Sequence, residues 1–539
     1  MTPSIARASM MIGAGTLVSR LTGFLRTMVL VAAIGSIGSR AADAFTVANQ
    51  LPNNIYAIIS TGILTAVIVP QIVKASTHED GGKAFVSKLF TLGTVILLGA
   101  TAVAVVLAPI LVTLYAPRYS PDQLALATAF AYWCLPQILF YGLYALLGET
   151  MHARNVYGPY TLTPIANNVI SIIGFGAFLL LFGLKTDVVG WTPGMVALVG
   201  GTATLGIVLQ ALLLLVFWRG VGIGVRPDFR WRGMGLGQIG RLAGWTFLMV
   251  VLGQLGGLAQ SRVLSTASGK IDGIPIAGVA ASANMWLLYM LPYSLIVISI
   301  GTPYFTRLSE HAHAGRLEDV RADIGRSIRT LSVFIVIAAF GIAAAAVPAA
   351  RIFSNSAGAA LIAAPLLIAF LISLIPNTVI FSIQRTYYAY DDTRTPFFFT
   401  VVQTGVVMLT AWLALLYVPV EWRAVGVALG QALAAIIQTA LATWLLHRKI
   451  GSLGTASWMF AIGRFVVAAI PAAAVGFGVF LLTGGVHGWM VSGQLLGAVG
   501  TAVICLVSLV VYLGMLALLR APELTPALAI VRRFLPGRR

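Results

Sequence analysis

The chain has 539 residues, of which 59% are hydrophobic and 9% charged, and its mean hydropathy is +0.94. Soluble domains carry about 25% charged residues, so this composition excludes a soluble globular protein. Apolar runs recur at the length of about 20 residues that an α-helix needs to cross the hydrocarbon, whereas barrel strands alternate over about ten residues. The predicted fold class is an all-α polytopic membrane protein.

The chain is predicted to contain fourteen transmembrane helices. Their boundaries are set by clusters of Gly, Pro and charged residues, for example Thr77–Lys83 and Arg226–Arg232. The first run carries Arg20 and Arg26 and is too long for a cleavable signal peptide. The predicted spans are 8–35, 44–73, 86–115, 123–150, 158–184, 191–218, 239–266, 276–305, 328–350, 358–386, 396–418, 424–446, 459–483 and 490–519.

The net charge of +18 predicts basic cytoplasmic loops rather than nucleic-acid binding. Basic residues lie between the apolar runs, and alternate connections differ: one set holds clusters such as Arg316–Arg326, the other mostly single residues such as Arg40 and Lys185. Cytoplasmic loops carry the excess of Lys and Arg. We therefore expect a multi-pass membrane protein with both termini cytoplasmic.

An internal repeat divides the chain. Ser19-Arg20 recurs as Ser261-Arg262 at an offset of 242, and Leu51-Pro52 recurs as Leu291-Pro292 at an offset of 240. Each copy holds six spans, which is typical of transporters built from parallel repeats. The prediction is an N-lobe (1–225, helices 1–6), a C-lobe (226–454, helices 7–12), and a segment 455–539 with two additional helices and a basic cytoplasmic tail.

Three arginines inside the predicted spans are candidate substrate-binding residues. An Arg at the centre of a transmembrane helix costs about 2.5–3.5 kcal/mol, so it normally faces a cavity or a partner. Arg20 and Arg26 lie in the first span, Arg262 holds the matching place in the second repeat, and Asp43 opens the second span. The predicted site is a cationic cavity for an anionic substrate; snorkelling from helix ends is the alternative.

Prolines inside spans break backbone hydrogen bonds. Nearby asparagines could repair these breaks or contact sugar hydroxyls, and Asn53 is a further substrate-binding candidate. The prolines are Pro52, Pro136, Pro164, Pro292 and Pro376, and the asparagines are Asn49, Asn53, Asn54, Asn167 and Asn168.

The two cysteines, Cys134 and Cys505, lie inside apolar runs and indicate no disulfide framework. No catalytic or ATP-binding motif is present, so we predict no enzyme activity, cofactor or metal site.

Four motifs resemble those of the MurJ/MviN family of lipid II flippases. They are S-R-L-T-G-F-L-R at Ser19–Arg26, A-D-A-F at Ala42–Phe45, L-P-N at Leu51–Asn53 and Y-Y-A-Y-D-D-T-R-T-P at Tyr387–Pro396. The resemblance implies transport of lipid II, an undecaprenyl-diphosphate-linked peptidoglycan precursor, by alternating access. It places the protein in the bacterial cytoplasmic (inner) membrane. It also implies that Arg20 and Arg26 line the cavity, that Asp43 matches a family aspartate, and that the last two helices form a groove for the lipid tail.

The chain departs from the family pattern where the family carries charges. Thr27, Tyr56, Thr61, Leu287 and Met290 stand at those positions. Other exporters of polyprenyl-linked glycans, drug exporters and a transport-inactive scaffold of wall synthesis therefore stay as alternatives. Drug export would favour acidic residues, and a membrane glycosyltransferase would need a large extramembrane loop. Expected partners are lipid II or a related glycolipid, membrane lipids and cell-wall synthesis proteins.

Overall fold

The structure is a computed structural model that describes residues 5–60, 83–153, 156, 158–218, 224–230 and 236–525. These residues are almost entirely helical. The helices are α1 (Ile5–Ile34), α2 (Arg40–Ile59), α3 (Lys83–Val106), α4 (Ala108–Tyr115), α5 (Pro121–Cys134), α6 (Gln137–Ala153), α7 (Gly158–Phe182), α8 (Pro193–Phe217), α9 (Leu236–Leu264), α10 (Val279–His313), α11 (Leu317–Ala344), α12 (Ala346–Arg351), α13 (Ala357–Ile372), α14 (Leu374–Ala389), α15 (Arg394–Tyr417), α16 (Arg423–Ile450), α17 (Thr455–Leu482) and α18 (Gln494–Leu518).

One short antiparallel hairpin joins strands β1 (Lys270–Ile271) and β2 (Ile274–Pro275). Its two turn residues, Asp272 and Gly273, both have positive φ angles, 50° and 80°. A two-residue turn with this backbone matches the twist of the flanking strands, which is why Asp-Gly is favoured in it.

Within the described residues, thirteen stretches are long and apolar enough to cross a membrane. They correspond to thirteen of the fourteen predicted spans. The remaining span, 44–73, begins in α2, and its part from residue 61 onward lies outside the described residues. Large apolar side chains are exposed on the surface, as at Leu180 (88%) and Leu482 (89%). Such a surface is suited to lipid, because soluble monomers rarely expose large contiguous apolar patches.

The connection expected between the eighth and ninth spans is much shorter than the sequence suggested. Helix α10 continues to His313, and α11 begins at Leu317. The first turns of α11 are charged, and they are stabilised by pairs three residues apart, such as Glu318 with Arg321 at 2.6 Å. Side chains with this spacing lie on one face of a helix. Hydropathy marked the apolar part of the helix and missed its charged extension.

Two spans in each half are broken at matching places. The first half has breaks at Leu107, between α3 and α4, and at Leu135-Pro136, between α5 and α6. The second half has breaks at Ala345, between α11 and α12, and at Ser373, between α13 and α14. The paired breaks are separated by close to the 240-residue offset of the sequence repeat. The backbone therefore carries the same repeat as the dipeptides.

Side chains from other helices bond the carbonyl groups near two of these breaks. The Trp133 carbonyl oxygen accepts a hydrogen bond from Thr204 Oγ1 at 2.7 Å. In the second half, the Pro376 carbonyl oxygen accepts one from Thr439 Oγ1 at 3.0 Å. Backbone groups in lipid need internal partners. These threonines supply such contacts next to the breaks and tie α8 to α5 and α16 to α14.

The chain forms two compact units, Met1–Gly269 and Lys270–Arg539. In the first unit α1 packs along α7, α7 packs on α8, and α2 packs on α5. Helix α9, which the repeat assigns to the C-lobe, packs on α2 and α4 of this unit.

In the second unit α11 is the central helix and packs against α14, α17 and α18. The two helices beyond the repeat are thus built onto α11. The hydroxyl of Tyr512 in α18 donates to the Val333 carbonyl oxygen of α11 at 3.0 Å. Gly476 allows α17 and α18 to approach closely, because a Cβ atom there would lie 2.2 Å from Ser508 Oγ.

Candidate functional site

Helix α1 is held against α7 by one asparagine. The side-chain amide of Asn168 donates to the Ser19 carbonyl oxygen and to Thr22 Oγ1, both at 3.0 Å. Gly23 lies on the same face, and a Cβ atom there would be 3.6 Å from Asn168. The opposite face of α1 exposes apolar side chains, including Leu21 at 62%. Helix α1 therefore has one packed polar face and one lipid-facing apolar face.

Arg20 and Arg26 flank the packed face of α1. They lie three residues before and three residues after Gly23, so they point about 120° apart around the helix. Both are half-buried. The Arg26 guanidinium is near enough to Tyr141 of α6 to interact with its phenol electrostatically. No carboxylate in the described part of the chain pairs with Arg26.

Tyr141, the phenol beside Arg26, belongs to a cluster of stacked tyrosines. Tyr56 stacks on Tyr141 with ring centroids 5.7 Å apart, and Tyr144 stacks on Tyr160 at 4.7 Å. The Tyr144 hydroxyl also donates to the Tyr160 carbonyl oxygen at 2.7 Å. The sequence analysis missed this cluster. Tyrosines inside apolar runs were a signal, but they come from three helices, α2, α6 and α7, and only tertiary packing brings them together.

Asp43 lies in a buried network away from the two arginines of α1. It is 1% exposed, in the first turn of α2, where the helix dipole favours a carboxylate. Ser268 Oγ donates to Asp43 Oδ2 at 2.6 Å, and Gln123 Nε2 donates to Ser268 Oγ at 2.9 Å. Burial and the Asp43 charge together raise the pKa of nearby Tyr119 well above its ordinary value. The network ties α2 to α5 and to the segment after α9.

Arg262 and Asn53 are both exposed. Arg262 lies in the last turn of α9, which packs on α2 and α4, whereas α1 packs mainly on α7. The described structure therefore brings Arg20 and Arg26 together on one helix and places Arg262 on a helix with different neighbours. Other predicted asparagines bond within the protein: Asn54 donates to the Tyr115 hydroxyl at 3.3 Å.

An apolar cleft opens in the second unit between α14, α16 and α17. Its volume is about 570 Å³. Ile375 and Val379 of α14, Trp444 of α16, and Met459 and Ile462 of α17 contribute to its wall. Its lining is mostly hydrocarbon, which suits a lipid chain rather than a polar headgroup.

Sequence comparison decides the family. The family described as Lipid II flippase MurJ matches residues 31–517 of this chain. The chain belongs to the MurJ family. The matched region begins after Arg20 and Arg26, so the roles of these two residues rest on the motif and the geometry.

Two curated MurJ relatives match along most of their length. The probable lipid II flippase MurJ of Rhizobium tropici is 24% identical over 496 residues, which cover 90% of this chain and 88% of the relative. The protein of the same description from Synechocystis is 23% identical over 478 residues, covering 86% and 85%.

Solved structures show the same fold. A lipid II flippase MurJ in an inward closed conformation has a TM-score of 0.70 at 18% identity, covering 95% of this chain and 98% of the other. An inward-facing multidrug resistance MATE family transporter of the MOP superfamily has a TM-score of 0.63 at 14% identity, covering 81% and 96%. At these identities the likeness establishes the fold alone.

Where this MurJ family member departs from the charge pattern expected from the sequence, uncharged side chains stand in different settings. Tyr56 takes part in the tyrosine stack beside Arg26. Thr27 is buried and bonds to the Gly23 carbonyl oxygen at 3.1 Å. Leu287 is exposed and Met290 half-buried in α10, and Thr61 lies outside the described residues.

Proposed function

We propose that this protein is a flippase that translocates lipid II across the bacterial cytoplasmic membrane by alternating access. Membership of the MurJ family supports the substrate class, and a diphosphate attached to a polyprenyl chain fits the chemistry of the two units. The first unit offers cationic and aromatic groups, and the second offers an apolar cleft.

The observation that carries the proposal is the setting of Arg26. It is half-buried in a membrane span, beside Tyr141, with no carboxylate partner among the described residues. Because an Arg there is costly, its guanidinium is expected to serve an anionic ligand. A guanidinium can bind phosphate oxygens with two parallel hydrogen bonds. Arg26 with Arg20 would bind the diphosphate, and Arg262 would supply a further positive charge along the path.

The polar residues have separate roles in this proposal. The exposed amide of Asn53 contacts the sugar–peptide headgroup. Asp43 acts without contacting the substrate directly. Its carboxylate is already bonded within a buried network, and it orders the start of α2. The tyrosine stack beside Arg26 offers flat apolar faces, which suit the apolar side of a sugar ring.

The lipid tail is assigned to the cleft of the second unit. One wall of the cleft comes from α17, the first helix beyond the repeat, and the others from α14 and α16. Burying hydrocarbon against such a wall needs no specific polar contact, which suits a long and uniform polyprenyl chain. The polar headgroup and the tail would then be handled by different parts of the protein.

The test replaces each of Arg20, Arg26 and Arg262 by Ala and by Lys, with Arg448→Ala as a control at an exposed helix end. Losing one charge-assisted phosphate contact should cost about 1.5–3 kcal/mol, or roughly tenfold or more in affinity. The Lys variants should restore little of the flipping activity, because Lys keeps the charge but lacks the planar guanidinium that binds two phosphate oxygens at once. Lipid II flipping or complementation is measured at matched membrane levels.

Wild-type behaviour of all three Ala variants would refute the cationic site. Complementation by the wild-type protein without measurable lipid II flipping would instead favour a transport-inactive scaffold. A second candidate function is export of another polyprenyl-linked glycan, which is favoured by Tyr56 standing where the family carries an Arg. Depletion of the protein distinguishes lipid II from another polyprenyl-linked glycan as the substrate. Lipid II accumulates in the inner leaflet if it is the substrate, and the other glycolipid accumulates if it is not.

A further inference from the structure

Arg385 is a half-buried arginine in α14 of the second unit. It lies inside the membrane-spanning stretch Ala357–Ala389 and belongs to none of the sites discussed so far. Its guanidinium carbon lies 5.0 Å from the ring centroid of Phe305 and 5.1 Å from that of Phe381. Within the described residues, no carboxylate pairs with it and no carbonyl oxygen accepts from it.

The two aromatic rings hold the guanidinium in place. Gly301 of α10 makes room for Phe381, because a Cβ atom at Gly301 would lie 2.4 Å from the Phe381 ring. A cation over an aromatic face is attracted by the ring quadrupole. An Arg side chain has five N–H donors. Among the described residues, the protein does not pair these donors of Arg385 with a carboxylate or a carbonyl oxygen.

Two phenol groups lie near the same guanidinium. Tyr293 of α10 and Tyr388 of α14 are both close enough to interact electrostatically with Arg385. The Tyr388 oxygen accepts a hydrogen bond from Gln384 Nε2 at 2.7 Å, so its own proton can be donated elsewhere.

Tyr293 is placed by an irregular backbone. It begins a π-helical segment, Tyr293–Ile298, that follows Pro292 inside α10. Single π-helical turns within α-helices occur frequently at functional sites. Arg385 therefore lies near the π-helical segment that carries Tyr293. It also contacts Phe381, which packs against Gly301.

We propose that Arg385, Tyr293 and Tyr388 form a phosphate-binding subsite in the second unit. Guanidinium and phenol groups all donate hydrogen bonds, and the guanidinium fork matches the geometry of phosphate oxygens. The phosphate comes from the diphosphate of the transported polyprenyl lipid or from the headgroup of an anionic bilayer lipid. The first source rests on the proposed function; the second does not.

The first experiment measures binding of farnesyl diphosphate, a short polyprenyl diphosphate without a sugar. The full chain is placed in phosphatidylcholine nanodiscs and titrated by microscale thermophoresis. Arg385→Gln should weaken binding about tenfold or more, the loss expected for one charge-assisted contact. Tyr388→Phe keeps the ring and should weaken binding less. Arg448→Gln is the matched control, because Arg448 also lies over an aromatic ring, 4.1 Å from the Trp444 centroid, but is exposed.

The second experiment quantifies phosphatidylglycerol retained by wild-type and variant protein after purification from mixed vesicles of phosphatidylglycerol and phosphatidylethanolamine. A drop in farnesyl diphosphate affinity identifies the transported lipid as the source. A drop in retained phosphatidylglycerol alone identifies the bilayer lipid. Both results support the subsite.

Unchanged affinity and unchanged lipid retention in folded Arg385→Gln and Tyr388→Phe would overturn the subsite. If Arg385→Gln does not fold, the subsite is tested with Arg385→Lys, which keeps the charge, and with Tyr388→Phe, which keeps the ring. Arg26→Ala is measured in parallel. Loss of farnesyl diphosphate binding in Arg26→Ala, with full farnesyl diphosphate binding and unchanged phosphatidylglycerol retention in Arg385→Gln, leaves the proposed function standing and removes this subsite alone.

Discussion

The side-chain amide of Asn168 in α7 is hydrogen-bonded to the Ser19 carbonyl oxygen in α1, one residue before Arg20. The same amide bonds to Thr22 Oγ1, so one turn of α1 is fixed against α7 at two points. The rotation of α1 about its axis determines where Arg20 and Arg26 point. Asn168 is therefore a positioning residue for both arginines.

Asn168→Ala should lower both stability and transport. Polar contacts between helices in membranes average about 0.6 kcal/mol and reach about 1.7 kcal/mol, so a loss of about 1 kcal/mol in the free energy of unfolding is expected. The thermal unfolding midpoint in detergent measures it. Asn53→Ala is the control for stability alone, because that amide is exposed and should leave the midpoint unchanged. An unchanged midpoint in Asn168→Ala would show that α1 is not held by this amide.

Asp43 and Ser268 are expected to act as one structural pair. Their hydrogen bond is 2.6 Å long and one partner is a buried carboxylate, so breaking it should cost about 1.5–3 kcal/mol. Asp43→Ala, Ser268→Ala and the double variant form a mutant cycle. We expect the double variant to be destabilised by less than the sum of the single variants. Additive losses, together with weaker substrate binding in Asp43→Ala alone, would instead make Asp43 a substrate contact.

The sequence was sufficient for the helical architecture because the bilayer imposes length and hydropathy on every span. It was insufficient wherever a helix leaves the hydrocarbon. The charged start of α11 between Leu317 and Arg326 looked like a connection, although pairs three residues apart make it helical. Position in a helix and position in the membrane are different properties, and hydropathy reports only the second.

The site was predictable only in part for a related reason. Arg20 and Arg26 lie in the interior of an apolar run, where a charge is conspicuous. Arg385 lies within five residues of the end of α14, so in sequence it looked like a helix-boundary charge. Its role emerges from Phe305 and Tyr293, about 80 to 90 residues away in the chain, and no local pattern connects them.

Lys449 and Asp392 should make the start of α15 sensitive to acid. Lys449 Nζ lies 2.6 Å from Asp392 Oδ2, and Asp392 Oδ1 accepts from the Thr395 amide at 2.9 Å. Burial alone would raise the pKa of Asp392, but the hydrogen bonds from Lys449 and Thr395 outweigh it and hold that pKa below its ordinary value. A lowered folded-state pKa gives stability above the unfolded value of about 3.9, and that stability is lost as the pH falls through the folded pKa.

Asp392→Asn should therefore destabilise the protein by up to about 1 kcal/mol at neutral pH, the range for a partly exposed ion pair. The difference from wild type should begin to shrink below about pH 4 and should vanish once the pH falls through the lowered folded-state pKa, where the folded wild-type carboxylate is protonated too. Thermal unfolding of wild type and Asp392→Asn at several pH values measures this difference in stability. Asp391→Asn is the matched control, since Asn tolerates the positive φ of 54° at that position. A difference that persists at low pH would mean that the charge is not responsible.

The orientation in the membrane can be tested at two exposed positions. Val189 is 71% exposed in the connection after α7, and the Glu318 side chain is 85% exposed at the start of α11. In a background with Cys134 and Cys505 replaced by Ala, an impermeant maleimide should label Val189→Cys in intact cells and Glu318→Cys only after lysis. The charge asymmetry of the loops predicts this result. The reverse labelling pattern would invert the topology. Arg321 is a poorer choice, because its guanidinium bonds to the Ile450 carbonyl oxygen.

A bulky side chain in the apolar cleft should block transport. Ala440 of α16 lines the cleft between α14 and α17 and is exposed to it. Ala440→Trp would fill part of the volume of about 570 Å³ that we assign to the polyprenyl chain. Lipid II flipping in proteoliposomes should fall several-fold, whereas binding of inorganic pyrophosphate, which has no tail, should be unchanged.

The control for this variant is Leu433→Trp. Leu433 is on the same helix, 47% exposed, and does not line the cleft. A tryptophan there adds similar bulk on a surface that faces lipid, so flipping should stay at the wild-type rate. Photocrosslinking groups placed along the polyprenyl chain should also label Met459, because that side chain lines the cleft from α17. Equal flipping by both tryptophan variants, together with crosslinking confined to residues 1–60, would place the tail in the first unit and not in the cleft.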